Sequence, residues 1–203
     1  MTPFSKVIAA LTTAATSAAG FAAYKLFWDV GNWPFSKSLK GTLLSLEGSK
    51  DQAIWQTRFS KIKSNKSSLS TSLLAVANKS GASWTDMQAW CRDNIKEKES
   101  TKEEKLADNV KRYCTFNIGD KLTNEIESSF GESDDKWKKA HEKLVASTDK
   151  ISDPTLLAVK NTVNTSNAGN KAIKAWCTAA YESPYKLGDE TFRNAEKFCI
   201  RLS

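Results

Sequence analysis

The sequence predicts an all-α protein: an N-terminal membrane-spanning or signal helix followed by two tandem, duplicated small helical units. Three observations predict it. The 203 residues include only four Pro and nine Gly, and Lys, Glu, Ala, Leu and Ser are common, a composition that favours helix over strand. Residues 7–24 carry no charge. A set of short motifs recurs in the same order 82 to 86 positions further on.

Residues 7–24 read VIAALTTAATSAAGFAAY, 18 uncharged residues between Lys6 and Lys25. A helix of that length spans a hydrocarbon core of about 30 Å. Eight of the residues are Ala and four are Ser or Thr, so the stretch is only weakly apolar. It reads either as an uncleaved anchor or as a secretory signal cleaved near Ser17, Ala18 and Ala19. Leu26, Phe27, Trp28 and Trp33 resemble an interfacial aromatic belt, which favours an anchor. Ala10, Ala14, Ala18 and Ala22 form a small-residue stripe, which an Ala-rich helix can hardly avoid. Residues 1–28 are thus the expected anchor or signal and 29–48 a juxtamembrane linker. Membrane lipid is the expected partner of residues 7–28. The flanking charges, Lys6 before and Lys25, Lys37 and Lys40 after, would place the body inside the cell.

The duplication rests on matched positions. Trp55, Phe59 and Ile62 correspond to Trp137, His141 and Leu144; Leu73, Leu74, Ala75 and Val76 to Leu156, Leu157, Ala158 and Val159. Ala89-Trp90-Cys91 recurs as Ala175-Trp176-Cys177, and Tyr113-Cys114 as Phe198-Cys199. Order and spacing held over about 60 residues indicate a tandem repeat. Unit one is expected over residues 49–116, an acidic linker over 117–132 and unit two over 133–203. Each unit is predicted to hold three helices. The first carries Trp55, Phe59 and Ile62 at i, i+4 and i+7. The second starts near Ser83 or Thr85 and carries Met87, Trp90 and Ile95. The third follows Thr101, whose spacing to Glu104 fits a capping box, and carries Leu106, Val110 and Tyr113. An earlier piece, residues 69–78, is expected to form a separate turn of helix. In unit two, Pro184 and Gly188 break the chain and Asp189 caps the last helix. Trp55, Trp90, Trp137 and Trp176 are the expected core anchors, because a small unit needs large apolar area.

Cys91 and Cys114 are 23 apart, Cys177 and Cys199 22 apart. Each pair spans a helical hairpin. Four cysteines allow three pairings, and the duplication favours Cys91–Cys114 and Cys177–Cys199. Disulfides imply an oxidising location outside the membrane, opposite to the charge rule. Buried free thiols are the alternative. A four-Cys zinc site lacks ligand pairs two to four residues apart.

Other chemistry is missing from the sequence. There is no Gly-rich phosphate loop, no Rossmann fingerprint and no nucleophile elbow. The single histidine, His141, stands where Phe59 stands in unit one, which marks it as a core or boundary residue. Gly131 to Asp135 lacks calcium-loop spacing. Asn65, Asn78 and Asn164 head glycosylation-type triplets, which act only in a host that glycosylates. The sequence predicts no catalytic, cofactor-binding or metal-ligating residues. The net charge of +7 is spread along the chain and interleaved with acids. It is compatible with a solvated helical surface or with an anionic partner, and no specific nucleic acid is expected.

Trp55, Phe59, Trp90-Cys91 and Tyr113-Cys114-Thr115, behind an Ala-rich N-terminal segment, resemble the large paralogous families of uncharacterised proteins in haemotropic mycoplasmas. The second unit keeps Trp176-Cys177 and Phe198-Cys199 but not the Phe59 and Tyr113 identities. The resemblance implies variable sets displayed by wall-less bacteria on red blood cells, with no activity or site residues. The expected function is a non-catalytic, membrane-anchored protein whose body faces outward, meeting a host-cell surface protein or glycan or presenting varying epitopes. The alternative is an intracellular module that binds anionic lipid or nucleic acid through its basic surface.

Overall fold

The computed structural model describes residues 33–100 and 104–201. Their regular structure is helical: α1 Phe35–Ser38, α2 Gln52–Ser64, α3 Thr71–Asn78, α4 Trp84–Asn94, α5 Glu104–Tyr113, α6 Asp135–Ala146, α7 Pro154–Lys160, α8 Ala168–Tyr181 and α9 Glu190–Phe198. The fold is all-α. Extended pairing among the described residues is confined to isolated antiparallel bridges. Residues 7–28 and the Thr101 cap lie outside the described residues. None of the described helices is long and apolar enough to cross a membrane.

Local signals explain where the helices start. The Ser83 hydroxyl accepts from Thr85 N at 3.3 Å, and Asp86 Oδ2 returns the favour to Ser83 N at 2.8 Å, opening α4 with a capping box. The Lys79 and Ser83 hydrogen bonds hold the Asp86 carboxyl below its usual range. Asp134, Asp153 and Asp189 accept from the backbone of Lys136, Thr155 and Thr191 and cap α6, α7 and α9. Gly188 takes φ +78° in the turn before α9, a conformation that favours glycine.

Two apolar cores follow each other along the chain. The first gathers Phe35, Leu39, Leu44, Trp55, Ile62, Leu73, Met87, Trp90 and Val110; α2 packs on α3 and α4. The second gathers Ile118, Leu122, Ile126, Trp137, Leu144, Leu156, Ile173, Trp176 and Phe198; α6 packs on α7 and α8. The four expected Trp anchors are all buried, and each indole N–H has a partner. Trp55 donates to Ser45 O at 3.0 Å and Trp137 to Phe130 O at 3.4 Å. Trp90 donates to Ser72 Oγ at 3.0 Å, and Trp176 lies 3.0 Å from Asp153 Oδ2. These bonds remove the cost of burying a polar indole.

Three expectations need correction. The separate piece expected over 69–78 is a longer helix, α3, capped by Ser70 Oγ accepting from Leu73 N, and α7 holds the matching residues, so the first core is built by α1 to α5 and the second by α6 to α9 rather than by three helices each. The segments expected as linkers are parts of the cores: Phe35, Leu39 and Leu44 are buried in the first, Ile118, Leu122 and Ile126 in the second. Their apolar residues are too few and too widely spaced to show a helical period, which is why they read as linkers. On α2, Phe59 is only half-buried, and Arg58 takes the inward position between Trp55 and Ile62.

Backbone bonds give the two halves a shared register. In the first, Phe35 N donates to Glu97 O at 3.0 Å, Glu99 N to Trp33 O at 2.9 Å and Leu44 N to Cys114 O at 3.0 Å. In the second, Ile118 N donates to Ser183 O at 2.8 Å, Tyr185 N to Phe116 O at 2.8 Å and Ile126 N to Cys199 O at 2.9 Å. Trp33 therefore stands where Phe116 stands, Lys37 where Asp120 stands and Lys96 where Glu182 stands.

Candidate functional site

The cysteines pair within each half. Cys91 at the end of α4 joins Cys114 just after α5, with Cα atoms 5.5 Å apart; Cys177 on α8 joins Cys199 just after α9, at 5.6 Å. All four are fully buried, so neither disulfide presents sulfur to a substrate.

The densest charged constellation lies between the halves. Arg58 of α2 donates to Asp120 Oδ2 at 2.5 Å, with the two side chains 4% and 15% exposed. Asp120 Oδ2 also accepts from Asn117 N at 2.7 Å. The Lys61 ammonium donates to Glu182 at the end of α8, and Arg112 of α5 lies 3.7 Å from the other Glu182 oxygen. Burial raises the Glu182 carboxyl, but Lys61, Arg58 and Arg112 outweigh it and hold that carboxyl below its usual range. The main chain crosses the seam without slack. Phe116 N donates to Thr42 O of the first half, while Phe116 O accepts from Tyr185 N of the second, both at 2.8 Å. A second buried pair, Lys111 with Glu99 at 2.5 Å, holds α5 to the segment that precedes it. This seam positions elements; its acids face permanent cations rather than one another, and no pair is set up for acid–base exchange.

A groove of about 500 Å³ lies beside α6 and α7, lined by His141, Glu142, Val145, Lys160 and Val163. His141 is buried, and its Nε2 lies 3.2 Å from Val159 O, so that nitrogen carries the hydrogen and donates. Three of the groove's other polar side chains, Lys160, Thr162 and Asn164, bond within the fold. Lys160 donates to Ser147 O at 2.6 Å. Asn164 accepts from Gly169 N at 2.9 Å and donates to Asn170 at 2.8 Å. The Thr162 hydroxyl, also in the lining, donates to Ala158 O at 3.0 Å. Among the described residues no cluster of His, Cys, Asp and Glu is arranged to hold a metal ion.

The expected cysteine residues are thus brought together in pairs, and the Trp residues lie in separate cores. Sequence reasoning missed the seam. Its one signal was Arg58, a cation on the inward stripe between Trp55 and Ile62. Its partner Asp120, 62 positions away, had none, and neither had Glu182, 121 positions from its partner Lys61. Compared with known protein families, curated proteins and solved structures, the chain matches none of them.

Proposed function

We propose that the chain is a non-catalytic helical protein made of two tandem repeats, held at the cell membrane by residues 7–28 with both units outside. Its Lys-rich solvent faces would meet host cells or carry varying epitopes. The observation that carries this reading is the pair of fully buried disulfides, one in each small core. Structural disulfides persist in oxidising compartments. The shared backbone register supports the tandem duplication, since equivalent bonds join Phe35 and Ile118 to equivalent loops. The resemblance to the haemotropic mycoplasma families agrees with display on a wall-less cell.

The test uses the cells that make the protein. Intact cells receive a membrane-impermeant amine reagent and are then lysed in denaturant with maleimide, with and without prior reduction. Outward display requires that exposed lysines such as Lys139 and Lys171 react in intact cells, and that the thiols react only after reduction. Lysines protected until lysis, with thiols that react unreduced, would establish the intracellular binding module instead.

A further inference from the structure

The two halves share a backbone register but not a charge pattern at their leading ends. In the second half, Asp120 and Glu182 stand at that end and dock on Arg58, Lys61 and Arg112 of the first. In the first half, the same two positions are Lys37 and Lys96, both exposed, and among the described residues no acidic end docks there. Lys96 is 71% exposed and Trp33 55% exposed. The Lys37 ammonium sits 3.1 Å above the Trp33 ring centroid. Lys40 and Lys98 are exposed beside them, Lys98 in the bridge to Pro34. The acids nearby are fewer: Asp93, 3.7 Å from Lys96, and the exposed Glu97, while Glu99 is buried against Lys111. Where the second unit carries an acidic end that meets a basic surface, the first carries a basic, aromatic end that calls for an acidic one.

The chain identifies the acidic surface. The uncharged stretch ends at Tyr24, nine residues before Trp33. Nine residues reach at most about 30 Å when fully extended. An anchored chain therefore keeps this end close to the headgroups. Trp with Lys is the pairing that suits a headgroup layer, the ring at the interface and the ammonium on phosphate.

We propose that the basic end of the first unit, formed by Trp33, Lys37, Lys40, Lys96 and Lys98, docks on an anionic lipid surface. This rests on residues 7–28 acting as an anchor. Docking fixes the direction in which the two units leave the membrane and keeps the second unit furthest from it.

The full chain is reconstituted into vesicles of phosphatidylcholine alone, or with one third phosphatidylglycerol. Flotation reports the anchor. Amine acylation read by mass spectrometry reports the face. Lys37, Lys40, Lys96 and Lys98 are expected to react several-fold more slowly on anionic than on neutral vesicles, with the protection lost in high salt. Lys139 and Lys171 on the second unit serve as unprotected references. The variant Lys37→Glu with Lys96→Glu is expected to float equally well but to lose protection at Lys40 and Lys98. Equal reactivity of the four lysines on both vesicle types, in a chain that floats, overturns the docking face and leaves the anchor standing. Protection by an added oligonucleotide but not by anionic vesicles also overturns it. A chain that floats with neither vesicle removes both readings.

Discussion

Gly169 shows how much a single methyl group decides in the second unit. It lies in the first turn of α8, where alanine would ordinarily be the better helix former by about 1 kcal/mol. A Cβ there would stand 2.3 to 2.7 Å from three atoms of the His141 ring. The ring is buried and bonded to Val159 O, so it has little room to withdraw. Gly169→Ala is expected to destabilise the protein by roughly 1–3 kcal/mol, the usual cost of overpacking. In a His141→Ala background the same change is expected to be neutral or stabilising, because the clash has gone and the helix preference remains. Urea unfolding of the four proteins in this cycle checks it; equal costs in both backgrounds would show that the imidazole is not the obstacle. Tyr181 is a second such residue. Its hydroxyl lies 2.7 Å from Cys199 O and 3.1 Å from Ile126 O, and burial pushes the phenol far above its ordinary range. Tyr181→Phe is expected to cost about 1–2 kcal/mol, since it removes a buried hydroxyl that bonds the main chain, although Cys199 O keeps Ile126 N.

At the scale of elements, α2, α5 and the end of α8 are joined by charges whose protonation can be read out. The folded Glu182 carboxyl titrates below its ordinary value of 4.5. Its contribution is therefore complete above about that pH and is lost as the pH falls through the lowered folded value. The unfolding midpoint is expected to drop in this acid window, and Glu182→Gln is expected to flatten the drop while lowering the midpoint at pH 7. An unchanged acid slope in the variant would show that Glu182 is not the titrating group at the seam. The same elements show what was legible in the sequence. Helix starts were readable where a side chain at the N-cap marks them, as with Ser83 and Asp189. The cysteine pairing was readable because repeat spacing and hairpin geometry pointed to the same partners. The full extent of α3 and α7 was not, because eight and seven residues give barely two turns of periodicity. The packed segments around Phe35 and Ile118 were not, because tertiary backbone bonds rather than local pattern hold them. The Arg58–Asp120 pair was not, because nothing local ties residues 62 apart in sequence.

For the whole molecule, the question is whether two cores of this size unfold together. Each is small, and each is closed by one disulfide over 22 or 23 residues, a loop whose closure contributes about 3 kcal/mol in the chain-entropy picture. The halves are coupled by the buried Arg58–Asp120 pair and by the shared Phe116 backbone. Removing one partner of a buried pair costs roughly 3–5 kcal/mol, because the other charge is left uncompensated. Coupling of that order is comparable to the stability of a small core. The intact chain is therefore expected to unfold in a single transition. Loss of the second disulfide by Cys177→Ala with Cys199→Ala is then expected to lower the midpoint of the entire protein, although Cys91–Cys114 is untouched. With Arg58→Ala added, the seam loses its buried pair, and two transitions are expected: an early one from the second unit and a later one from the first. Trp55→Phe and Trp137→Phe variants, which each dim the fluorescence of one core, assign the transitions. If the disulfide variant already unfolds in two steps with Arg58 present, the seam does not couple the units, and they behave as independent domains on one chain.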